Sequence, residues 1–550
     1  VVMPIDKQPL ALRKEMKRNI SNILQLLNKS DTLLSYYYRP AVSKWIFILS
    51  FIIISLFYDF QQILFLRPQG LHQWRQCDGL SITMNYYKEN LSFFNPAVHS
   101  MEADEGKSGH TISEFPLVYY LTGNIWKLTG HKEYIFRLID LLLVFFGLFA
   151  FFRLCEEILK DSLIAMICSF ILFSSPVLSY YSCNFIPNTS AFGLILIAWY
   201  FAFLYFSKNK RRFLFLSFLF FLLGGLIKIT HNLSLLSLIL VLIINIIKNH
   251  KDRKEVILRM FGWLALAGLI LLIVFVYYYR AHLYNEKHHS GMFSFQLHPV
   301  WNLKKAAINE ILHNFRTFWF KQYFSAAIQY LLAFSLVFIL IYRKFTGRFY
   351  SEMLFFLLAG SLVYVIFWFS AMSNHDYYVI DLMISVCFLL LTFFMVLKSR
   401  VPVVFNHVLT RIILIILLIF SIKTTTIKVK DRYSGWMNEV HRKYYYSLET
   451  ITPYLRSLGI NRNDVVLSIP DPSFNITLYL MDQKGFTSGG SNTDSFLMER
   501  MFKCGLKYMI VNDSTIIRHP QIQQFTKKPM GKYHNIIIYD LREFSEQFTQ

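Results

Sequence analysis

The sequence predicts an α-helical polytopic membrane protein of about eleven transmembrane helices, with a soluble α/β domain at its C-terminal end. Three observations lead there. Of 550 residues, 55% are hydrophobic and only 16% charged, against about 25% charged in an average soluble protein. The apolar residues gather in runs long enough for a bilayer core, which takes about 20 residues per helix. After about residue 430 those runs stop, and short strand-like stretches alternate with helical ones.

The apolar runs fall at 44–66, 134–153, 162–182, 188–206, 213–227, 229–247, 260–279, 326–342, 352–371, 379–397 and 411–427. The first is long and lacks a small-residue cleavage site, so it stays as an anchor and is no signal peptide. Ahead of it, the leader 1–43 sets Leu10, Leu12, Met16, Ile20 and Leu24 among Arg13, Lys14, Lys17 and Arg18. That pattern reads as an amphipathic helix on the cytoplasmic membrane surface.

Orientation follows from Lys and Arg, which crowd cytoplasmic loops. The loops 153–161, 207–212, 248–259, 343–351 and 398–411 hold 17 of them, whereas the opposite short turns hold only Lys228. The N-terminus is therefore inside and the C-terminus outside, together with two long loops, 67–133 and 280–325. The net charge of +22 is largely topological. No basic patch is left over to indicate nucleic acid as a partner.

Residues 44–429 form the membrane domain and 430–550 the outer domain. Within the latter, Asp464–Ile469, Leu506–Val511 and His534–Tyr539 read as strands, helical patterns cover 437–458 and 493–503, and a parallel sheet is expected. The six cysteines form no Cys-x-x-Cys pair, so neither a zinc site nor a disulfide framework is indicated. His288 and His289 are adjacent, and adjacent residues rarely both face one ion.

Ionisable groups near a membrane are costly and mark function. Here they gather on the outer side. Leu71-His72-Gln73-Trp74-Arg75-Gln76-Cys77-Asp78 follows the first span, and Glu114-Phe115-Pro116 lies before the second. Further along stand Gly130 to Arg137, Ile186-Pro187-Asn188, Gly225-Leu226-Ile227-Lys228 and Asn374-His375-Asp376-Tyr377-Tyr378. This set resembles the C-type glycosyltransferases, in particular the branch of protein O-mannosyltransferases and lipid A aminoarabinose transferases. In that branch an acidic residue follows the first helix, and an acidic-x-Pro element comes later.

The resemblance implies the C-type glycosyltransferase fold over about residues 45–400. It also implies transfer of a sugar from a polyprenyl-phosphate donor to a lipid, glycan or protein acceptor at the outer face of a bacterial cytoplasmic membrane. Inverting transfer needs a carboxylate to take the acceptor proton and cations to stabilise the departing phosphate. Asp78 is the candidate base and Glu114 the second catalytic carboxylate. Arg75, three residues before Asp78, orients it or contacts phosphate. Lys228 and Arg280, at outer helix ends, either meet the phosphate or snorkel to the interface. Asn188 either binds sugar or begins a helix. His375, Tyr377 and Tyr378 suit a sugar or an isoprenoid phosphate, although tyrosine is enriched at any membrane interface.

Two positions depart from the pattern. Phe115 stands where the aminoarabinose transferases carry a basic residue, and Asn188 where an Asp is frequent. Some relatives use a divalent cation, and no residue here is assigned to one. The rival reading is a transporter or flippase, and its best foothold is Arg137 and Asp140, three apart on the second span and expected to pair near its outer end. A membrane scaffold with an external binding domain is the third class.

Overall fold

The computed structural model describes residues 40–248, 253–290, 292–293, 297–490 and 495–548. The leader expected as an amphipathic helix lies almost entirely outside them. Each expected span falls on a helix or a bent pair of helices. Among the described residues eight helices, or ten counting two bent pairs, are long and apolar enough to cross a membrane, and the apolar helix Arg211–Ile227 has 17 residues.

The bends have local causes. Ser162–Phe173 and Pro176–Ser182 meet at 79°, where Pro176 removes a backbone donor and the Ser175 hydroxyl accepts from the Leu178 N–H instead. Lys305–Tyr323 and Ala326–Ile341 meet at 95°, across an extended Phe324 and Ser325. Close packing is set elsewhere by glycine. A Cβ on Gly147 would lie 2.5 Å from Gly193 Cα, so Tyr134–Leu159 and Asn188–Lys208 cross almost backbone to backbone.

The basic loops meet at one end of the bundle. Lys248 and Arg348 both pair with Glu352, Arg411 with Asp161, and Arg153 with Glu156. At the other end the two long segments expected as outer loops, 67–133 and 280–325, carry helices of their own. The first carries Gln73–Lys88 and Leu117–Thr129. The second opens with the end of the 35-residue helix Arg253–Lys287 and closes with Lys305–Tyr323.

Arg137 and Asp140 do not pair. Arg137 donates to the carbonyls of Ile63 and Arg67 and stacks over Phe185, whereas Asp140 accepts from the hydroxyls of Thr189 and Ser190. Three positions apart on one helix they point to different neighbours: both Asp140 oxygens accept, while Arg137 Nε is buried without a partner.

The last long helix, Val408–Ser434, runs past the expected change at 430. Beyond it lies a five-stranded sheet of order β2-β1-β3-β5-β4, with β1 Val465–Ile469, β2 Gly485–Thr487, β3 Leu506–Val511, β4 Pro529–Tyr533 and β5 Ile536–Asp540. Only β1, β2 and β3 are parallel, and β5 runs antiparallel to both neighbours. The purely parallel expectation fails because β4 and β5 form a hairpin. Its turn is His534-Asn535, with His534 in the left-handed region at φ 50°, so the third strand starts two residues later than the apolar run suggested.

Candidate active site

The site starts at a sharp turn. Gly70 (φ 77°) packs where a Cβ would lie 2.6 Å from the Arg432 carbonyl, and His72 (φ 57°) then opens Gln73–Lys88. From Gln76 to Tyr86 every residue of this helix is buried, including Asp78, Ser81 and Asn85. A helix with buried polar groups needs partners for them. The C-terminal domain and the second half of the first outer segment supply them.

Asp78 Oδ1 accepts a 2.9 Å hydrogen bond from Asn475 Nδ2, the one hydrogen bond to this carboxylate among the described residues. Burial pushes this carboxyl up, and Arg75 and Asn475 draw it only part of the way back, to about 6; Glu114 and Asp471 add to the rise. Arg75 Nη2 and the Tyr119 hydroxyl both donate to Glu114 Oε1. Burial would raise the Glu114 carboxyl as well, but Arg75 and Tyr119 outweigh it and keep Glu114 ionised below its ordinary range. The Arg75 guanidinium leans on the Phe293 ring at 5.5 Å, and its Nη1 is buried without a partner. Two neighbouring carboxylates are thereby driven apart, one locked to a cation and the other proton-accepting near neutral pH.

Phe115 packs against Phe93 and Tyr277. Tyr277 donates to the Glu114 carbonyl at 3.1 Å, and Tyr278 to the Leu226 carbonyl at 3.0 Å. These two tyrosines tie the acidic element to the turn bearing Lys228. Lys228 sits over the Tyr378 ring at 4.6 Å, acts on Glu114 and His375 from there, and has no ion-pair partner among the described residues.

A second cluster lies next to it. Asp376 is fully buried, accepts from Arg432 Nη2 at 2.8 Å and from the Tyr181 hydroxyl at 2.6 Å, and has His72 Nε2 at 3.2 Å. His72 stacks on His375, whose rings are nearly parallel at 5.5 Å, and meets Tyr377 edge-on. Burial, then the neighbouring His72, draw His375 down to about 4, so it is neutral at physiological pH. Tyr377 also faces Arg75 and thus joins the two clusters.

Asn188 and Arg280 are placed differently. Asn188 begins its helix and is buried in a separate network around Asp381, which also engages His231, Thr230 and Tyr364. Arg280 is exposed, and no interaction joins it to the site among the described residues. Sequence reasoning had no signal for Arg432, Tyr277 or Asn475. Two are distant in sequence from what they contact, and Tyr277 sits in a tyrosine run that any membrane interface would explain.

Two clefts of about 210 and 300 Å³ open between the first outer segment and the C-terminal domain, sharing Glu102 and Phe474. Asp78 lines neither. Met292 of the larger one does contact the Asn475 amide at 3.9 Å, and Phe474, shared by both, meets Trp74 edge-on. No group of three or more His, Cys, Asp or Glu able to hold a metal ion occurs among the described residues.

Residues 111–279 match a family model described as dolichyl-phosphate-mannose-protein mannosyltransferase. Among solved structures, apo ArnT from Cupriavidus metallidurans aligns with TM-score 0.58 at 12% identity, covering 91% of this chain and 98% of that one. ArnT bound to undecaprenyl phosphate aligns with TM-score 0.52 at 10% identity, over 90% and 97%. The apo oligosaccharyltransferase of Archaeoglobus fulgidus aligns with TM-score 0.53 at 11% identity, over 84% and 69%. No curated protein matches the chain by sequence.

Proposed function

From the C-type glycosyltransferase architecture that this chain has, we propose a membrane enzyme that moves a sugar from a polyprenyl-phosphate donor to an acceptor hydroxyl at the extracytoplasmic face, with inversion. The observation that carries it is Asp78. It is a buried carboxylate with one oxygen held and one free, beside a preformed Arg75–Glu114 pair and an unpaired Lys228.

The acceptor hydroxyl gives its proton to Asp78 Oδ2 as its oxygen attacks the anomeric carbon. The bond from that carbon to the phosphate oxygen breaks on the opposite face, and the electron pair leaves with the phosphate. Lys228 and the unpartnered Arg75 Nη1 stabilise that charge. Glu114 holds Arg75 and takes no proton itself. ArnT was solved with undecaprenyl phosphate, which supports a lipid-phosphate donor here. The basic loops gathered at the opposite end of the bundle support an outward-facing site, as in a bacterial inner membrane.

The transporter reading is not favoured, because Arg137 and Asp140 do not pair and engage separate neighbours within the helix packing. The test is release of sugar by the purified protein from a set of polyprenyl-phosphate sugars with lipid, glycan and peptide acceptors. Lys228→Ala is expected to raise the donor KM about tenfold, the loss of one charge contact of about 1.4 kcal/mol. Arg280→Ala is expected to leave it within about twofold, since Arg280 is exposed. Binding and turnover of no donor in the set would overturn the reading.

A further inference from the structure

The C-terminal domain touches the candidate base through one side chain. Asn475 is 0% exposed and lies just ahead of the short helix Ile476–Leu480. Its Oδ1 accepts from the Ser100 backbone N–H at 3.0 Å and from the Ser81 hydroxyl at 3.4 Å. A backbone N–H can only donate, so the atom facing Ser100 is the oxygen and the amide nitrogen necessarily points at Asp78.

The domain is fixed in this place. Arg462 donates to Asn85 and Glu89 of the Asp78 helix, Lys484 pairs with Glu89 at 3.1 Å, and the Gly485 N–H donates to the His99 carbonyl at 3.2 Å. From below, Arg67 donates to the carbonyls of Glu449 and Leu480. Ser100 and Gly485 form a parallel bridge that carries the first outer segment onto the edge of the sheet. The donor nitrogen therefore comes from a domain tied to the Asp78 region at several points.

We infer that Asn475 is a positioning residue, through which the C-terminal domain completes the active site by anchoring Asp78 Oδ1 and leaving Oδ2 to face the acceptor. This rests on Asp78 being the base. The inference gives the outer domain a part in the chemistry in addition to covering the site. The fully buried amide is tolerated there because it has partners at Asp78, Ser81 and the Ser100 N–H, with Met292 Sδ beside its nitrogen.

The charged groups facing Asp78 are Arg75 on its own helix, Glu114 ahead of Leu117–Thr129, and Asp471 from the C-terminal domain. The amide hydrogen bond adds to Arg75 in favouring the ionised carboxylate. Removing it leaves burial less opposed, so the carboxyl titrates higher.

The experiment compares the full-length parent, Asp78→Asn, Asn475→Ala and Asn475→Asp. It follows kcat against pH with a polyprenyl-phosphate sugar and, without substrate, the infrared band of the protonated Asp78 carboxyl, assigned by its loss in Asp78→Asn. Asn475→Asp keeps the acceptor for the Ser100 N–H and so protects the fold. The acid limb and the infrared midpoint are expected to rise by about one pH unit in Asn475→Ala, and further in Asn475→Asp, where two carboxylates share a proton. The donor KM is expected to change less than kcat. Midpoints that coincide with the parent's, with only a lower yield of folded protein, would overturn the inference. Turnover surviving in Asp78→Asn would instead overturn the assignment of the base, and is read separately.

Discussion

A carboxylate buried at Asp78 works against the fold that holds it. Its pKa of about 6 in the folded chain exceeds the ordinary 3.8, so the folded protein binds this proton more tightly than the unfolded one. Stability from this group therefore falls as pH rises from about 4 to about 6, and stays lowered above that range. Asparagine cannot ionise. Asp78→Asn is expected to unfold at a higher temperature than the parent at pH 7.5, by up to about 3 kcal/mol, with the difference closing as pH is lowered toward 4. Thermal unfolding of both proteins in detergent across that range checks it. A variant that is equally or less stable at neutral pH would mean that Asp78 is not held at the expense of the fold. The position of Asp78 just after the first span, and of Glu114 before the second, was legible in the sequence as acidic residues at an outer surface. Their division of labour was not, because it depends on which one Arg75 and Tyr119 engage. Asn475 was illegible for a simpler reason: it lies 397 residues from Asp78 and reads locally as a sequon. Among the described residues, Asn90, Asn188, Asn232, Asn475 and Asn512 stand in Asn-x-Ser/Thr sequons, and of these Asn90 alone is exposed.

At the scale of elements, the membrane helices were legible because hydropathy alone selects them and every run had its helix. Their angles were not, since the crossing of Tyr134–Leu159 with Asn188–Lys208 depends on two glycines 46 residues apart in sequence meeting face to face. A methyl group on Gly193 would stand 2.3 Å from the Leu143 carbonyl. Gly193→Ala is therefore expected to destabilise the protein by about 1–3 kcal/mol. Gly268→Ala, with open space around its Cβ position, is expected to be neutral or slightly stabilising. Thermal unfolding of the two variants beside the parent separates these outcomes. In the outer domain β1 and β3 were visible as apolar runs. By contrast, β2 has three residues and β4 has the sequence Pro-Met-Gly-Lys-Tyr, too short or too polar to stand out from a loop. The mixed order was illegible because β4, which forms the antiparallel hairpin with β5, was not seen as a strand.

Across the whole molecule the polarity is one of ends. One end of the bundle gathers the basic loops and their ion pairs; the other gathers Asp78, Glu114, Arg75, Lys228 and the histidine–tyrosine cluster beneath a docked α/β domain. We propose that the acidic and basic side chains at this second end serve a reaction that accepts a proton and releases a phosphate. That claim is tested most directly by single-turnover sugar transfer from a polyprenyl-phosphate donor, measured for the parent and for Asp78→Asn at saturating donor. The expected result is a fall in rate of at least about 10²-fold, typical of losing a general base, with donor binding kept within a few fold. Transfer by Asp78→Asn at the parent's rate would contradict the account.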